Sequence, residues 1–188
     1  QRSSHGLIKI MSQECVYRGR IINLRLDNLL IPSGQTVFRE VVEHPGAVAV
    51  LPRTEDDTLL LEKQYRPAIA EEIFEFPAGT INKGEDATSC AARELEEETG
   101  YVAVRLKKLG SIVTAPGYCT ERITLFYADA KKAGSQRLEK DEDIELVQID
   151  SRQIWSYIRD GKVVDSKSIA LVTLAFLNGL LSPVRQLS

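Results

Sequence analysis

Hydrophobic positions along much of the chain follow the short period of β-strands and are separated by Gly and Pro turns. The runs 47–51 and 58–64 contain consecutive apolar residues, all of 47–51 in the first and 59–61 in the second, as is typical of strands covered on both faces. Several strands are expected between residues 7 and 64, and a second group follows residue 100. The clearest predicted strands are 35–42, 47–51, 58–64, 101–113 and 122–128.

The pattern between the two strand groups is helical. Residues 85–99 are rich in Ala, Glu, Arg and Leu and lie between Gly84 and Gly100. Two further helices are predicted near the end of the chain, over 151–159 and 167–180. Strands around one central helix, followed by terminal helices, predict an α+β fold with layered sheets and helices.

The first of the terminal helices is preceded by Asp150 and Ser151, either of which is a suitable N-cap. The second contains the longest apolar stretch, 169–181, which Thr173 and other polar residues interrupt. This stretch is shorter than the roughly 20 residues that span a bilayer, so a buried helix is expected and no membrane partner.

Composition narrows the class of protein. The chain has 188 residues, 43% hydrophobic and 27% charged, which is typical of one folded domain. The net charge of −3 gives no basic field, so nucleic-acid binding is not expected. The three cysteines form no CxxC pair, and with no signal sequence visible this favours a reducing cytoplasm. Residues 1–6 are polar and unpatterned, and we interpret them as a remnant of cloning.

The central helix carries a cluster of carboxylates. Glu94, Glu97 and Glu98 are spaced three and four apart, so they share one helix face. Like charges at that spacing destabilise an isolated helix by a few tenths of a kcal/mol per pair, roughly. A divalent cation among the oxygens would remove the penalty. The competing interpretation is a solvated, Glu-rich surface helix.

The surroundings of these carboxylates favour the metal interpretation, because residues 79–101 resemble the Nudix box. That pattern is Gly, five residues, Glu, seven residues, Arg-Glu-aliphatic-any-Glu-Glu-any-Gly-aliphatic. Tyr101 departs from the final aliphatic position. The matching residues are Gly79, Glu85, Arg93, Glu94, Leu95, Glu97, Glu98 and Gly100.

The resemblance implies a Nudix fold, with mixed β-sheets sandwiched by helices and a loop-helix-loop box. It also implies that Glu94 and Glu98 bind Mg²⁺ or Mn²⁺, together with the backbone carbonyl of Ala78. Glu97 is then a neighbouring ligand or an orienting group.

The remaining box residues have structural roles in the family. The resemblance implies that Arg93 and Glu85 form a pair that braces the helix, with substrate contact as the alternative for Arg93. Gly79 and Gly100 are expected to adopt backbone conformations closed to other residues.

Segments outside the box resemble the ADP-ribose pyrophosphatase subfamily. Pro116 lies sixteen residues after Gly100, a mark of these enzymes, although a Pro-Gly turn alone would also explain it. Similar segments are 17–22, 39–50, 62–66, 75–79 and 165–168. The implied reaction splits the diphosphate of ADP-ribose into AMP and ribose 5-phosphate.

Substrate contacts carried over from this subfamily fall on five residues. Arg39 and Arg66 are candidates for the diphosphate and the terminal ribose, since a forked guanidinium matches phosphate oxygens; surface salt bridges are the alternative. Glu40 and Pro116 are further substrate-binding candidates. Ile21 is expected near the adenine, where relatives often carry an aromatic residue.

An aromatic face for the adenine could come from elsewhere. Tyr17 and Phe38 are the residues that could supply it, and for both the competing interpretation is a place in the core.

The general base resembles a Glu on the loop before the last strand. Glu142 matches best because Ile144-Glu145-Leu146 follows it as in relatives. Alternatives are Asp141, Asp143, Glu145 and, after the Pro-Gly turn, Glu121. The competing interpretation is a solvated acidic loop.

The early strands resemble an antiparallel sheet that relatives exchange between subunits. We therefore expect an N-terminal region over 1–45, a catalytic domain over 46–188 and a homodimer, in which Arg39 would serve the partner's site. His44, before Pro45, is expected to be a turn residue and not a catalyst.

Two other functions fit the same box. One is hydrolysis of another nucleoside diphosphate derivative, such as GDP-mannose, a flavin dinucleotide or an oxidised nucleotide. The other is a Nudix-like domain that binds nucleotide sugars without cleaving them, which the complete set of box carboxylates disfavours. A scaffold with an acidic helix would leave the box unexplained.

Overall fold

The computed structural model describes residues 7–140 and 142–182. The polar opening segment 1–6 and Asp141 therefore lie outside the described residues. The chain forms two compact units: Gln1–Gly46 with Val113–Arg122, and Ala47–Ile112 with Ile123–Ser188. The expected boundary near residue 45 stays a prediction, as does the catalytic role of the larger region.

The first unit contains a three-stranded antiparallel sheet in the order β1 (Lys9–Arg18), β2 (Asn23–Leu30), β3 (Thr36–Glu43). Segment 113–122 returns to this unit, where Val42 N donates to Tyr118 O at 2.7 Å and Thr120 N donates to Val42 O at 2.9 Å. The expectation of an antiparallel N-terminal sheet is confirmed.

The second unit contains a seven-stranded mixed sheet, whose strands are β4 (Ala47–Thr54), β5 (Thr58–Arg66), β6 (Glu71–Glu75), β7 (Ala78–Thr80), β8 (Tyr101–Val113), β9 (Arg122–Lys132) and β10 (Ile144–Asp150). The order is β10-β5-β4-β9-β8, and β6 pairs with β5 and β7 with β4. Strands β4 and β9 run parallel, from Ala47 opposite Ile123 to Thr54 opposite Ala130.

Helices cover both faces of this sheet. The alternation of side chains along β4 creates the two layers, since residues 47, 49 and 51 pack in one buried cluster and residues 48 and 50 in another. The first cluster includes Leu171 of α3 (Ser166–Leu177), and the second includes Leu95 of α1 (Ala87–Thr99). The α+β fold with helices sandwiching a mixed sheet is confirmed.

Capping residues decide where the helices begin and end. The backbone of Asp86 is extended, and its side chain accepts from Thr88 N and Ser89 N, so α1 starts two residues later than the predicted helix 85–99. Gly100 ends α1 in the left-handed conformation, with φ of 71°.

The terminal helices are shorter than predicted. Asp150 caps a single 3₁₀ turn, Ser151–Gln153, through a capping box, and α2 (Ile154–Arg159) follows. Helix α3 ends at Leu177, before Gly179 with φ of 70°. None of the helices in the described part of the chain is long and apolar enough to span a membrane.

Candidate functional site

Two of the box carboxylates point toward the protein interior. Glu94 and Glu98 are only 9% and 5% exposed, on the face of α1 that also buries Leu95. Glu98 Oε2 accepts a hydrogen bond from the backbone N of Ala78 at 2.9 Å. A solvated surface helix would expose these side chains, so that interpretation is wrong for Glu94 and Glu98; Glu97, by contrast, remains half-exposed.

Gly79 makes room for Glu94. A Cβ at residue 79 would lie 1.9 Å from Oε1 of Glu94 and 2.0 Å from its Cδ. The expectation that Gly79 adopts a conformation closed to other residues is wrong, because its φ is not in the left-handed region. Glycine is needed there for close approach, whereas at Gly100 the expected left-handed conformation is confirmed.

Arg93 is surrounded by acidic side chains. Its Nε and Nη2 donate to the two carboxylate oxygens of Glu85 at 2.8 and 3.0 Å, so the expected bracing pair is present. Nη1 lies 3.0 Å from Glu97 Oε2 and 2.8 Å from Glu94 Oε1. The hydrogen bonds from Arg93 lower the pKa of Glu85 to about 2. Arg93 thus connects the loop before α1 to the carboxylates on the helix.

Glu62 is a buried acid of this site that the sequence pattern did not indicate. It lies in β5, is 2% exposed, and its Oε1 has no hydrogen-bond partner among the described residues. Glu62 and Glu98 interact electrostatically, so the two carboxylates belong to one site. Burial, followed by the neighbouring negative charges, raises the pKa values of both Glu62 and Glu98. A charged residue at the end of the apolar run 59–61 is the sequence signal that could have revealed it.

This donor set suits a divalent cation that keeps part of its hydration shell. Among residues 7–140 and 142–182, no three Asp, Glu, His or Cys side chains converge enough to enclose an ion. Mg²⁺ does not require such a cage, because it usually binds one or two carboxylates together with waters and substrate phosphates. Buried carboxylates at Glu94 and Glu98 and the orphaned oxygen of Glu62 therefore fit a cation that is completed by substrate.

The loop before β10 brings one further acid under the electrostatic influence of α1. The charge of Glu142 contributes to raising the pKa values of Glu94 and Glu98, after burial and closer charges. Its Oε2 accepts from Glu139 N at 2.8 Å. Glu145 instead lies opposite Lys63 in the β5–β10 pair, and its side chain is exposed.

Arg66, at the end of β5, makes a two-point contact with Glu75. Its Nε and Nη2 donate to the two oxygens of Glu75 at 2.5 and 2.9 Å. The Arg66 side chain remains 41% exposed while that of Glu75 is 2% exposed. The salt bridge considered as an alternative is present, and it leaves one edge of the guanidinium accessible.

The remaining candidates belong to the first unit. Arg39 and Glu40 are exposed on β3, and Arg39 Nη1 donates to the carbonyl of Phe38 at 2.9 Å. Ile21 is also exposed, and Pro116 lies in a turn closed by a hydrogen bond from Tyr118 N to Ala115 O. Their substrate roles stay predictions.

Three other residues of the first unit have clear surroundings. Tyr17 and Phe38 are 58% and 69% exposed, so their alternative placement in the core is wrong. His44 follows β3, and its expected role as a turn residue stays a prediction. Its Nδ1 accepts from Gly46 N at 3.1 Å. Glu121 Oε1 lies 3.6 Å from the same nitrogen, and its candidacy as general base stays a prediction.

Comparison with known proteins gives a consistent set of relatives. The family model for the NUDIX domain matches residues 43–165. A methanol dehydrogenase activator of Bacillus methanolicus is 39% identical over 87% of this chain and 90% of its own. ADP-ribose pyrophosphatases of Bacillus subtilis and Mycobacterium tuberculosis are 35% and 32% identical, over 85% and 92% of this chain and 88% and 86% of theirs.

A solved structure gives the same fold. The crystal structure of an ADP compounds hydrolase aligns with a TM-score of 0.82 at 24% identity, covering 94% of this chain and 97% of the other. With the buried carboxylates of α1, the Gly79 contact and the family match over residues 43–165, the chain belongs to the Nudix family.

Proposed function

We propose that this protein hydrolyses the diphosphate linkage of ADP-ribose, giving AMP and ribose 5-phosphate, with Mg²⁺ as the metal and Mn²⁺ as a substitute. The observation that carries the proposal is the buried pair Glu94 and Glu98, held beside the box glycine Gly79. ADP-ribose is the favoured substrate because two relatives named as ADP-ribose pyrophosphatases match across most of the chain.

The residues that would hold the metal are Glu94, Glu98 and the carbonyl of Ala78. Bound divalent ions would neutralise charge that develops on phosphate oxygens during attack at phosphorus. Arg93 holds Glu94 and Glu97 in place through its guanidinium, and Gly79 leaves space for the Glu94 carboxylate. Glu97 is accessible enough to be a further ligand or an orienting group.

Glu142 is our candidate for the general base. A water molecule would attack one phosphorus and pass its proton to the Glu142 carboxylate, while the bond from that phosphorus to the bridging oxygen breaks. The electrostatic effect of Glu142 on both Glu94 and Glu98 supports this choice over Glu145, which lies beside Lys63.

Substrate recognition would use the accessible edge of Arg66 for the diphosphate, since a guanidinium forms paired hydrogen bonds to phosphate oxygens. Ile21, Arg39, Glu40 and Pro116 remain candidates by their resemblance to the subfamily. These residues would recognise a small nucleoside diphosphate sugar, and we propose no nucleic-acid partner.

We also propose a homodimer formed through the first unit. Strand β1 is exposed along its whole length and carries several large apolar side chains, an unusual surface for a monomer. The exposed apolar residues of this sheet region are Leu7, Ile8, Ile10, Met11, Val16, Tyr17, Ile21, Ile22 and Phe38. Multi-angle light scattering should give twice the chain mass at micromolar concentration, and a monomer would contradict the proposal.

The free cysteines Cys15, Cys90 and Cys119 are consistent with the proposed cytoplasmic location.

The substrate is tested by comparing kcat/KM for ADP-ribose, GDP-mannose, FAD and an oxidised nucleotide with Mg²⁺. GDP-mannose is an essential comparison because GDP-mannose pyrophosphatases of Escherichia coli and Citrobacter koseri are 31% and 30% identical to the chain. We expect ADP-ribose to exceed GDP-mannose by at least about tenfold, or about 1.4 kcal/mol of transition-state free energy. A preference for another substrate would redirect the assignment, and binding without turnover would indicate the non-catalytic alternative.

A further inference from the structure

A buried lysine lies at the start of α3. Lys167 is 8% exposed, and lysine is almost never this buried unless it is paired. Its Nζ lies 3.0 Å from Asp165 Oδ2 and forms an ion pair with Glu75 Oε2. The ammonium group therefore has two anionic partners, one at the N-cap of its own helix and one at the end of β6.

Glu75 also contacts Arg66. Its Oε1 accepts from Arg66 Nε, and its Oε2 accepts from both Arg66 Nη2 and Lys167 Nζ. The carboxylate is thus held from two sides. Because the two contacts to Arg66 are parallel, the orientation of the Glu75 carboxylate fixes the plane of the guanidinium. We call Lys167, Glu75 and Arg66 the ion-pair network.

The lysine itself is held firmly by the chain on either side. Asp165 Oδ2 accepts from the backbone N and the Oγ of Ser168 at 2.9 and 2.7 Å, which caps α3. Ser168 Oγ in turn accepts from the backbone N of Phe76 at 2.9 Å. The residues that follow Lys167 and Glu75 in the chain are therefore linked as well, and the distance between α3 and the end of β6 is fixed.

Stability alone is a weak reason to bury these charges. Replacing a buried ion network with apolar residues of similar volume is often neutral or stabilising, because desolvation offsets the attraction. The exposed end of the ion-pair network is Arg66, whose Nη1 makes no hydrogen bond to any residue within 7–140 and 142–182. A rigid cation with one accessible edge is suited to an anionic group of planar or tetrahedral geometry.

We propose that Lys167 is a positioning residue for substrate binding, acting through Glu75 to hold the guanidinium of Arg66 toward the diphosphate of the substrate. The inference rests on the proposed function for the identity of the substrate. Without Lys167, Glu75 keeps only Arg66 as a cationic partner. The guanidinium would then sample other orientations, and the diphosphate would bind more weakly.

The test is a double-mutant cycle of Lys167→Met and Arg66→Ala, with Lys63→Met as the matched control. Lys63 is a neighbouring lysine paired with Glu72 at 2.9 Å, but it is outside the ion-pair network. We expect Lys167→Met to raise KM for ADP-ribose about tenfold with kcat within about threefold, Lys63→Met to change neither, and Lys167→Arg to recover most of the loss. The double variant should bind no worse than Arg66→Ala alone, whereas additive effects would overturn the proposal.

Two measurements keep the result independent of turnover and of folding. First, the affinity of the same four proteins for ADP is measured by calorimetry, which does not depend on hydrolysis. If the parent does not hydrolyse ADP-ribose, that result contradicts the proposed function, while the ADP affinities still test the role of Lys167. ¹⁵N relaxation of the Arg66 Nε–H should show a rigid guanidinium in the parent and a mobile one in Lys167→Met, and equal rigidity would overturn the proposal. If Lys167→Met does not fold, Lys167→Gln replaces it in every arm.

Discussion

Replacing Gly79 with alanine tests the geometry of the metal site without removing any charge. The new Cβ would lie 1.9 Å from Glu94 Oε1, whereas ordinary van der Waals contact begins at 3.4 Å. The Glu94 carboxylate must therefore retreat by about 1.5 Å or the backbone must move. Carboxylate oxygens bind Mg²⁺ at about 2.0–2.1 Å, so a displacement of this size takes Glu94 out of the coordination shell.

The side chain is expected to move before the backbone does. Glu94 is held by an ion pair to Arg93 at 2.8 Å, and burial already raises its pKa, so its charged form is not stabilised where it lies. Rotation of Glu94 should cost less than the roughly 1–3 kcal/mol typical of overpacking. We expect the Tm to change little and the affinity for Mn²⁺ to fall at least about tenfold, or about 1.4 kcal/mol.

Electron paramagnetic resonance of free Mn²⁺ during titration measures that affinity directly, and thermal unfolding reports the stability. Gly110→Ala is the matched control, because its new Cβ would meet only Leu174 Cδ1, at 3.4 Å. Unchanged Mn²⁺ affinity together with an unchanged Tm in Gly79→Ala would refute the assignment of Glu94 as a ligand. A large loss of Tm with normal affinity would show that the backbone yields instead of the side chain.

Three further predictions concern the protonation of buried and paired carboxylates and the identity of the general base. The folded-state pKa of Glu85 is lowered to about 2, so its pair with Arg93 contributes stability above pH 4.5 that is lost as the pH falls toward 2; urea unfolding of Glu85→Gln should show a weaker acid dependence than the parent. The pKa values of Glu62 and Glu98 are raised, so metal-free protein should lose Tm as the pH rises above about 4.5, and Mg²⁺ should reverse part of that loss; a flat metal-free profile would contradict this. Glu142→Gln should lower kcat by roughly 10²–10⁴ while Mn²⁺ affinity changes only a few-fold, with Glu145→Gln as the control that retains activity.

The main elements of the fold were predictable because they have strong periodic patterns. The predicted strand 101–113 matches β8 residue for residue, and the buried run 47–51 is the first part of β4. Strands β6 and β7 were not identified, since five and three residues are too few to show a period. Their pairing with β5 and β4 depends on tertiary contacts that no local pattern contains.

Some of the site was also predictable. The spacing of Glu94 and Glu98 places both on one helix face, and they are buried there together. What the sequence could not give is the environment of those residues. Gly79 matched the box for a steric reason that requires the position of Glu94 across a loop, and the importance of Glu62 depends on its interaction with Glu98 of α1.

The ion-pair network could not be predicted from the sequence for a similar reason. A lysine two residues into a helix is ordinary in sequence, and its partner Glu75 lies 92 residues earlier in the chain. The return of segment 113–122 to the first unit is equally non-local, because it depends on hydrogen bonds between Val42 and residues near 119.

Whether Glu94 and Glu98 support cleavage of ADP-ribose is measured by hydrolysis of ADP-ribose with Mg²⁺, with the products separated by chromatography and Glu98→Gln assayed beside the parent. Glu98→Gln keeps the shape of the side chain but removes the charge that would bind the metal. We expect the parent to release AMP and ribose 5-phosphate in equal amounts and the variant to lose this activity while remaining folded. Equal release by the variant would contradict the assigned site, and no release by the parent would contradict the proposed substrate.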